Sequence, residues 1–340
     1  MKNNSAFFLL LIVVLTHLSG CDRQSVIKFA GETQGTTYHV TIAKTTSSLD
    51  SVELQQRVEQ RLHEIDLALS NYRDDSELSQ FNRAPAGEWI ELGRDLNNVL
   101  KVSQQMSTES DGAFDITVAP LVDLWGFGPH KKSETIPSDV DIASAKRHVD
   151  YRHIELDTTQ PRARKNQALT IDVNGIAQGY SVDQLADVLS ALSCTDFLVE
   201  VGGELRLVGH NPQGKLWRIG IEKPTDDLVE VQQPVFASGV GVTTAGDYHD
   251  YFEKNGVRYS HTIDPRSGRP IAHTLASVTV IAANAMLADG YDTVLEVLGP
   301  EQGFEFARQH HLAAYFIVRT DNAFAVRTTP EMAPYLTEPR

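Results

Sequence analysis

The chain has 340 residues, 41% of them apolar and 22% charged, and 30 Lys and Arg stand against 45 Asp and Glu for a formal charge of −15. That length supports one large or two ordinary globular cores and excludes a disordered chain or a cross-linked mini-protein, while the acidity repels a phosphate backbone and argues against nucleic acid as a partner. Two cysteines, Cys21 and Cys194, exclude a disulfide framework, a cysteine-based zinc site and an iron–sulfur cluster.

In chain order, Lys2 precedes an apolar run over residues 6–15. A membrane-spanning helix needs about 20 residues, so this run reads as a signal peptide, residues 1–20. It closes on Leu18-Ser-Gly-Cys21, similar to a bacterial lipobox, in which the cysteine is lipidated and begins the mature chain. A standard signal peptide with an incidental cysteine is the alternative. Asp22 resembles the residue that retains Gram-negative lipoproteins in the inner membrane, so the expected address is the periplasmic face of that membrane, on a lipid anchor at Cys21.

After a tether over 21–26, residues 26–43 are rich in Val, Ile, Thr and Tyr and predict one or two strands around Gly31 and Gly35. Leu54, Val58, Leu62, Ile65 and Leu69 recur at helical spacing and predict an amphipathic helix. Residues 70–82 read as a polar turn, 96–106 as a second helix, 120–137 as a Gly- and Pro-broken loop, and the stretch to about 166 as a polar connector. From residue 168 the pattern predicts a short strand, a helix over 179–192 and strands near 197–209, 216–222, 235–244 and 276–282. A helix over 285–298, a short helix and two closing strands complete the chain. Hairpins mixed with helices, without regular alternation, indicate an α+β fold with mixed or antiparallel sheets.

Familiar nucleotide and hydrolase motifs are missing: no Walker loop, no dinucleotide fingerprint, no Gly-x-Ser-x-Gly elbow and no His-Glu-x-x-His. Other groups carry candidate chemistry. Asp289 and Thr293 lie one helical turn apart, a carboxylate and a hydroxyl of the kind Mg²⁺ accepts, although a polar surface stripe has the same spacing. Asp172-Val-Asn-Gly-Ile-Ala-Gln-Gly-Tyr180 runs from a strand into a helix, where Gly175 and Gly179 allow close approach of a ligand to backbone. Aromatics around glycines over 112–128 suit either a pocket for a flat ring or a core-edge loop. Val201-Gly-Gly-Glu204 fits a bulged strand beside a ligand or a hairpin turn. His261 and Asp264, on a strand before a Pro-Arg-Ser-Gly turn, form either a proton-moving pair or a structural histidine, with Asp247 a rival base.

Taken together these segments resemble the bacterial FAD:protein FMN transferase family, often called ApbE. The matching pieces run from Gly35-Thr-Thr-Tyr38 through Asp75-Ser-Glu-Leu-Ser79, Phe114-Asp115, the 172–183 segment, Val201-Gly-Gly-Glu204, Gly246-Asp-Tyr248 and the 260–268 segment to Ala288-Asp289. The resemblance implies Mg²⁺-dependent cleavage of FAD, with FMN attached to a Thr or Ser hydroxyl of a partner protein and AMP released. It implies a metal held by Gly175 carbonyl, Asp289 and Thr293, and FAD contacts at Gln34, Tyr72, Ala113, Phe114, Asp115, Asp172, Gln178 and Ile263. It also implies one flavin transferase domain over 27–340, divisible into two lobes with the flavin between them, and an acceptor in a sodium-translocating NADH:quinone reductase or related electron-transport complex. FAD hydrolysis to FMN and AMP, or flavin storage without catalysis, are the alternatives. The family commonly has alanine where Gly290 stands.

Overall fold

The computed structural model describes residues 26–129, 135–224, 230–246, 251–321 and 323–338. Cys21, the signal segment, nearly all of the tether and Asp247 lie outside the described residues.

One antiparallel sheet of eight strands organises the molecule. Its strands are β1 (Ile27–Thr33), β2 (Thr36–Thr45), β3 (Cys194–Val201), β4 (Glu204–Val208), β5 (Val240–Gly246), β6 (Leu275–Ala282), β7 (Ala313–Arg319) and β8 (Phe324–Thr328), and they neighbour one another in that same order. The β1–β2 turn puts Gln34 and Gly35 at positive φ (49° and 75°), and Gly202 and Gly203 do the same between β3 and β4. Two-residue turns of this kind match the right-handed twist of the strands they join. The Val-Gly-Gly-Glu segment is thus a hairpin turn and not a bulge.

The described helices are α1 (Ser51–Leu69), α2 (Glu77–Arg83), α3 (Arg94–Glu109), α4 (Ala119–Trp125), α5 (Asp139–Lys146), α6 (Asn174–Ala191) and α7 (Ala285–Gln309), of which α1, α6 and α7 pack on the sheet. In α1 the buried side chains are Leu54, Val58, Leu62, Ile65 and Leu69 together with Arg61, the stripe that the spacing predicts. Leu54, Val58, Val182 and Leu185 of α1 and α6 share a core with Val40, Ile42, Phe197 and Val199 of β2 and β3. The hairpin Trp217–Glu222/Val231–Ala237 closes a separate core with Leu207, Ala276, Ile281 and Ile317. Between Leu275 and Ser277 β6 has a register irregularity, after which its residues are buried from both sides.

Three expectations are corrected. Residues 120–137 are not all loop: α4 has Pro120 in its first turn and Gly126 as a left-handed cap (φ 88°), so the breakers that suggested irregularity bracket a short helix. The 70–82 turn likewise holds the start of α2, capped by Ser76, which accepts from Ser79 N–H at 3.0 Å. No strand runs directly into α6. Residues 169–173 belong to no regular element, and two of their amides are met from elsewhere in the chain: Ile171 N–H donates to Asn82 Oδ1 on α2 at 2.8 Å and Asp172 N–H to the Ile116 carbonyl at 2.7 Å. The polar connector also contains α5 and the strands Ile154–Leu156 and Arg162–Lys165, which form a small sheet with Ile90–Glu91.

Candidate functional site

The site is built where α6 and α7 cross. α6 begins at Asn174, whose N–H is taken by Asp172 Oδ1 at 2.9 Å, and Gly175 departs from helical geometry (φ −78°, ψ 18°). α7 begins after Asn284, which accepts from Leu287 N–H at 2.9 Å. The helices meet at Gly179, where a Cβ would strike the Ala285 carbonyl and lie 2.7 Å from Asp289 Cβ. That contact lets Gly179 N–H donate to Asp289 Oδ2 at 2.8 Å. One turn along, Thr293 Oγ1 donates to the Gly175 carbonyl at 3.4 Å. Gly175, Asp289 and Thr293, expected as one group, are therefore neighbours on two facing helices.

The electrostatics of this crossing are one-sided. Burial, with the Asp183 charge added, pushes Asp289 up to about 7, against the opposing effect of the Gly179 N–H. Burial and then Asp289 push Glu204 well above the usual carboxylate range, and burial followed by the charges of Asp289, Glu204 and Glu296 does the same to Asp292. Glu204 Oε2 is buried with no hydrogen-bond partner among the described residues. Three carboxylates crowded this way repel each other in a medium that screens poorly. No three His, Cys, Asp or Glu side chains stand close enough to hold a metal by themselves among the described residues. The group at the crossing is of another kind, one carboxylate, one hydroxyl and one carbonyl. All are hard oxygen donors, and beside them lies an uncompensated buried carboxylate oxygen, so the residues present fit a small divalent cation that keeps some of its waters.

A cleft of about 390 Å³ opens beside the start of α6, with Asn71, Tyr72, Asn82, Asp123, Thr170 and Asp172 among its walls. Tyr72 is 67% exposed. Asp172 is buried at its base and pushed up to about 6, first by burial and further by the Asp123 charge, while the Asn174 N–H and the Asn71 amide oppose the shift. Asn82 holds the wall with both ends of its amide, accepting from Ile171 N–H at 2.8 Å and donating to the Ile171 carbonyl at 2.9 Å.

The other expected flavin residues do not line this cleft. Ala113 and Phe114 are buried, and the Phe114 ring packs at Gly175. Asp115 caps the next turn, accepting from Thr117 N–H at 2.8 Å, Thr117 Oγ1 at 2.7 Å and Tyr151 N–H at 3.0 Å. Gln34 donates to Ser181 Oγ on α6 at 2.8 Å, and the Gln178 amide lies against Gly202.

His261 is not on a strand but on the bend between Val257–Ser260 and Ile263–Asp264, its ring edge-on to Phe127 at 6.4 Å. Ile263 is buried with Leu121, Trp125, Ile142 and Phe252. Both Asp264 oxygens receive bonds from Arg266, at 2.9 Å from N–H and Nε and 3.0 Å from Nη2, so this carboxylate shapes the turn. Trp125 Nε1 pins that turn by donating to the Gly268 carbonyl at 2.9 Å. Sequence reasoning missed Asn71, Asp123, Asp183, Glu204, Asp292 and Glu296. The acids at 289, 292 and 296 recur at helical spacing in a largely apolar segment, a signal that could have flagged α7 as an acidic face turned inward.

This fold is that of a known family. The chain belongs to the ApbE family, whose sequence profile matches residues 34–316. It is 39% identical over 328 residues to the FAD:protein FMN transferase of Haemophilus influenzae, covering 94% of this chain and 95% of that one. It is 36% identical over 338 residues to the protein of the same name from Escherichia coli K12, covering 96% of each. The crystal structure of Pseudomonas stutzeri flavinyl transferase ApbE, apo form, superposes with a TM-score of 0.85 at 41% identity over 92% of this chain and 97% of that one.

Proposed function

We propose that the protein is an FAD:protein FMN transferase that moves FMN from FAD to a Thr or Ser hydroxyl of an acceptor protein and releases AMP. The observation that carries the reading is the α6–α7 crossing, where Gly175, Asp289 and Thr293 present hard oxygens within an acidic, buried setting. Mg²⁺ held by these three groups would supply the positive charge that a dianionic pyrophosphate needs in a protein of this acidity.

In the proposed reaction the acceptor oxygen bonds to the FMN phosphorus, the bond from that phosphorus to the AMP oxygen breaks, and AMP leaves with the electron pair. His261 is our candidate for taking the hydroxyl proton, with Asp247 the rival; Asp264 acts by holding the turn after His261 in shape through Arg266. Tyr72 and Asp172 place the flavin, the first by offering an exposed ring and the second by offering a buried acceptor to a ligand N–H. Gln34, Ala113, Phe114, Asp115, Gln178 and Ile263 are further flavin contacts that we propose on the family resemblance, outside the walls of that cleft. We also propose that residue 21 carries a lipid anchor, that the protein works at the periplasmic face of the inner membrane, and that its acceptor belongs to a sodium-translocating NADH:quinone reductase or related complex. The lipobox-like segment and the family support this.

The test combines purified protein, FAD, Mg²⁺ and such an acceptor, read by in-gel flavin fluorescence and by the mass of the acceptor. An added FMN mass that disappears in Asp289→Ala, with FAD binding partly retained, is the expected result. AMP release at the same rate with and without acceptor would make the protein an FAD pyrophosphatase instead. FAD binding with no AMP release at all would leave a flavin carrier.

A further inference from the structure

Three rungs join α6 to α7, each one helical turn from the next. The Gly175 carbonyl receives Thr293 Oγ1 at 3.4 Å, Gly179 N–H meets Asp289 Oδ2 at 2.8 Å, and the Asp183 carboxylate receives Ala285 N–H on Oδ1 and Met286 N–H on Oδ2, both at 2.9 Å. Residues 175, 179 and 183 climb α6 at four-residue spacing while 293, 289 and 285 descend α7 at the same spacing, so the rungs lie on facing stripes of two antiparallel helices. The second and third of these rungs are reciprocal. α6 lends a carboxylate to the backbone of α7, and α7 lends one to the backbone of α6.

We infer that Asp183, which touches neither the metal group nor the flavin cleft, is a positioning residue that sets the register of α7 and thereby the spacing of the Gly175, Asp289 and Thr293 oxygens. The inference rests on the metal assignment made above. A helix start leaves its first N–H groups without partners inside the helix. In α7 the first three are all taken by side chains, two by Asp183 and the third by Asn284. Arg206 closes the same end by donating to the Ala283 carbonyl at 2.7 Å, with its Nε 3.7 Å from Asp183 Oδ1. The backbone contact at Gly179 acts as a pivot between this rung and the metal rung. A displacement of the α7 start therefore reappears beyond the pivot as a displacement of Thr293 against Gly175. The same arrangement leaves no free amide at the start of α7 for a substrate phosphate, so phosphate contacts must come from elsewhere in the site.

In Asp183→Asn one of the two α7 amides faces an NH₂ group, while the shape of the side chain is kept. Mn²⁺ titrated into the whole purified protein and followed by electron paramagnetic resonance reads the metal group without relying on turnover. Loss of an outer partner of a metal site weakens metal binding by about 10- to 100-fold, and that loss is expected in Asp183→Asn. Asp183→Glu, which restores the carboxylate, is expected to recover part of it. Val235→Ala, a buried change in the Trp217–Glu222/Val231–Ala237 hairpin away from the ladder, should lower the melting temperature and leave Mn²⁺ affinity unchanged. Wild-type Mn²⁺ affinity in Asp183→Asn overturns the inference, and so does equal weakening in Val235→Ala at matched stability. If Asp183→Asn does not fold, the Glu variant decides: affinity equal to wild type overturns the inference and intermediate affinity supports it. Wild-type protein that binds no Mn²⁺ and releases no AMP defeats the functional reading itself, a result distinct from either.

Discussion

The α6–α7 ladder and the cleft beside it are neighbours built to opposite standards. At the ladder, helix backbones touch: a Cβ at Gly179 would strike the Ala285 carbonyl, and one at Gly241 would strike the Asn284–Ala285 backbone. Its polar contacts are carboxylates on buried amides. The cleft is walled by loops and the two short helices α2 and α4, its aromatic residue is mostly exposed, and its shape depends on single side chains such as the Asn82 amide that holds Ile171. Oxygens that must share one ion need placement within a fraction of an ångström, which backbone contact provides. A flat ring is held by area, and loop side chains can adjust to it.

The ladder side should therefore be the brittle one. In Gly179→Ala the new methyl meets main chain and Asp289 Cβ, neither of which can yield unless α7 moves. Overpacking of this kind costs about 1–3 kcal/mol, and the upper end is expected because no flexible side chain absorbs it. FMN transfer should fall by at least about 100-fold, since misplacement by about 1 Å costs that much. Thermal unfolding and the transfer assay together check both; near-normal activity would show that the crossing tolerates what its geometry denies.

Asp172 tests the cleft from the other direction. Its folded-state value is raised to about 6 from an ordinary 3.8, so the fold disfavours its charged form. The penalty is fully present above about pH 6 and is relieved as pH falls from 6 toward 4. Asn can keep the cap on the Asn174 amide, so Asp172→Asn should raise stability at pH 7.5 by at most about 3 kcal/mol, from 1.36 kcal/mol per pKa unit. The gain should shrink as pH falls to 5, and FAD binding should weaken at every pH. Unfolding midpoints across that range decide it, and a gain that does not vary with pH would remove the buried charge from the account.

A smaller effect is expected at Gly290, where a Cβ would lie 2.7 Å from Met106 Cε and press on its sulfur. Methionine is unbranched and can move aside, so Gly290→Ala should cost about 1 kcal/mol after the gain in helix propensity. Transfer activity should survive. Comparing its melting temperature with that of Gly179→Ala separates contact with main chain from contact with a pliable side chain.

What the sequence made legible follows the same divide. The stripe on α1, the strand-forming stretch around Gly35 and the one-turn spacing of Asp289 and Thr293 are readable because local composition and periodicity dictate them. α4 was hidden because Pro120 and Gly126 mark the ends of a helix as well as the interior of a loop. The segment before α6 looked like a strand, and only the Asn82 side chain and the Ile116 carbonyl, 89 and 56 residues earlier, explain why it pairs with none. Asp183 closes the 172–183 segment that the resemblance matches, but nothing local gives its role, which comes from a helix start about a hundred residues later. The family resemblance supplied candidate residues. It could not say that Asp115 and Asp264 are occupied with capping and turn-shaping, since that depends on which amides and guanidinium face them in the fold.

The least disruptive change should be at Tyr72. A side chain 67% exposed on a loop contributes little packing, so Tyr72→Ala should move stability by no more than about 0.5 kcal/mol. Its ring nevertheless stands at the mouth of the cleft, where stacking on a flat ligand contributes about 1–3 kcal/mol. The KM for FAD should therefore rise by about tenfold or more with kcat nearly unchanged, because an interaction made equally in the ground and transition states affects binding alone. Tyr72→Phe, which keeps the ring, should restore most of the affinity. A fall in kcat with KM unchanged would place Tyr72 at the reacting phosphate instead, and the division between a rigid chemical centre and an adaptable recognition cleft would have to be redrawn around it.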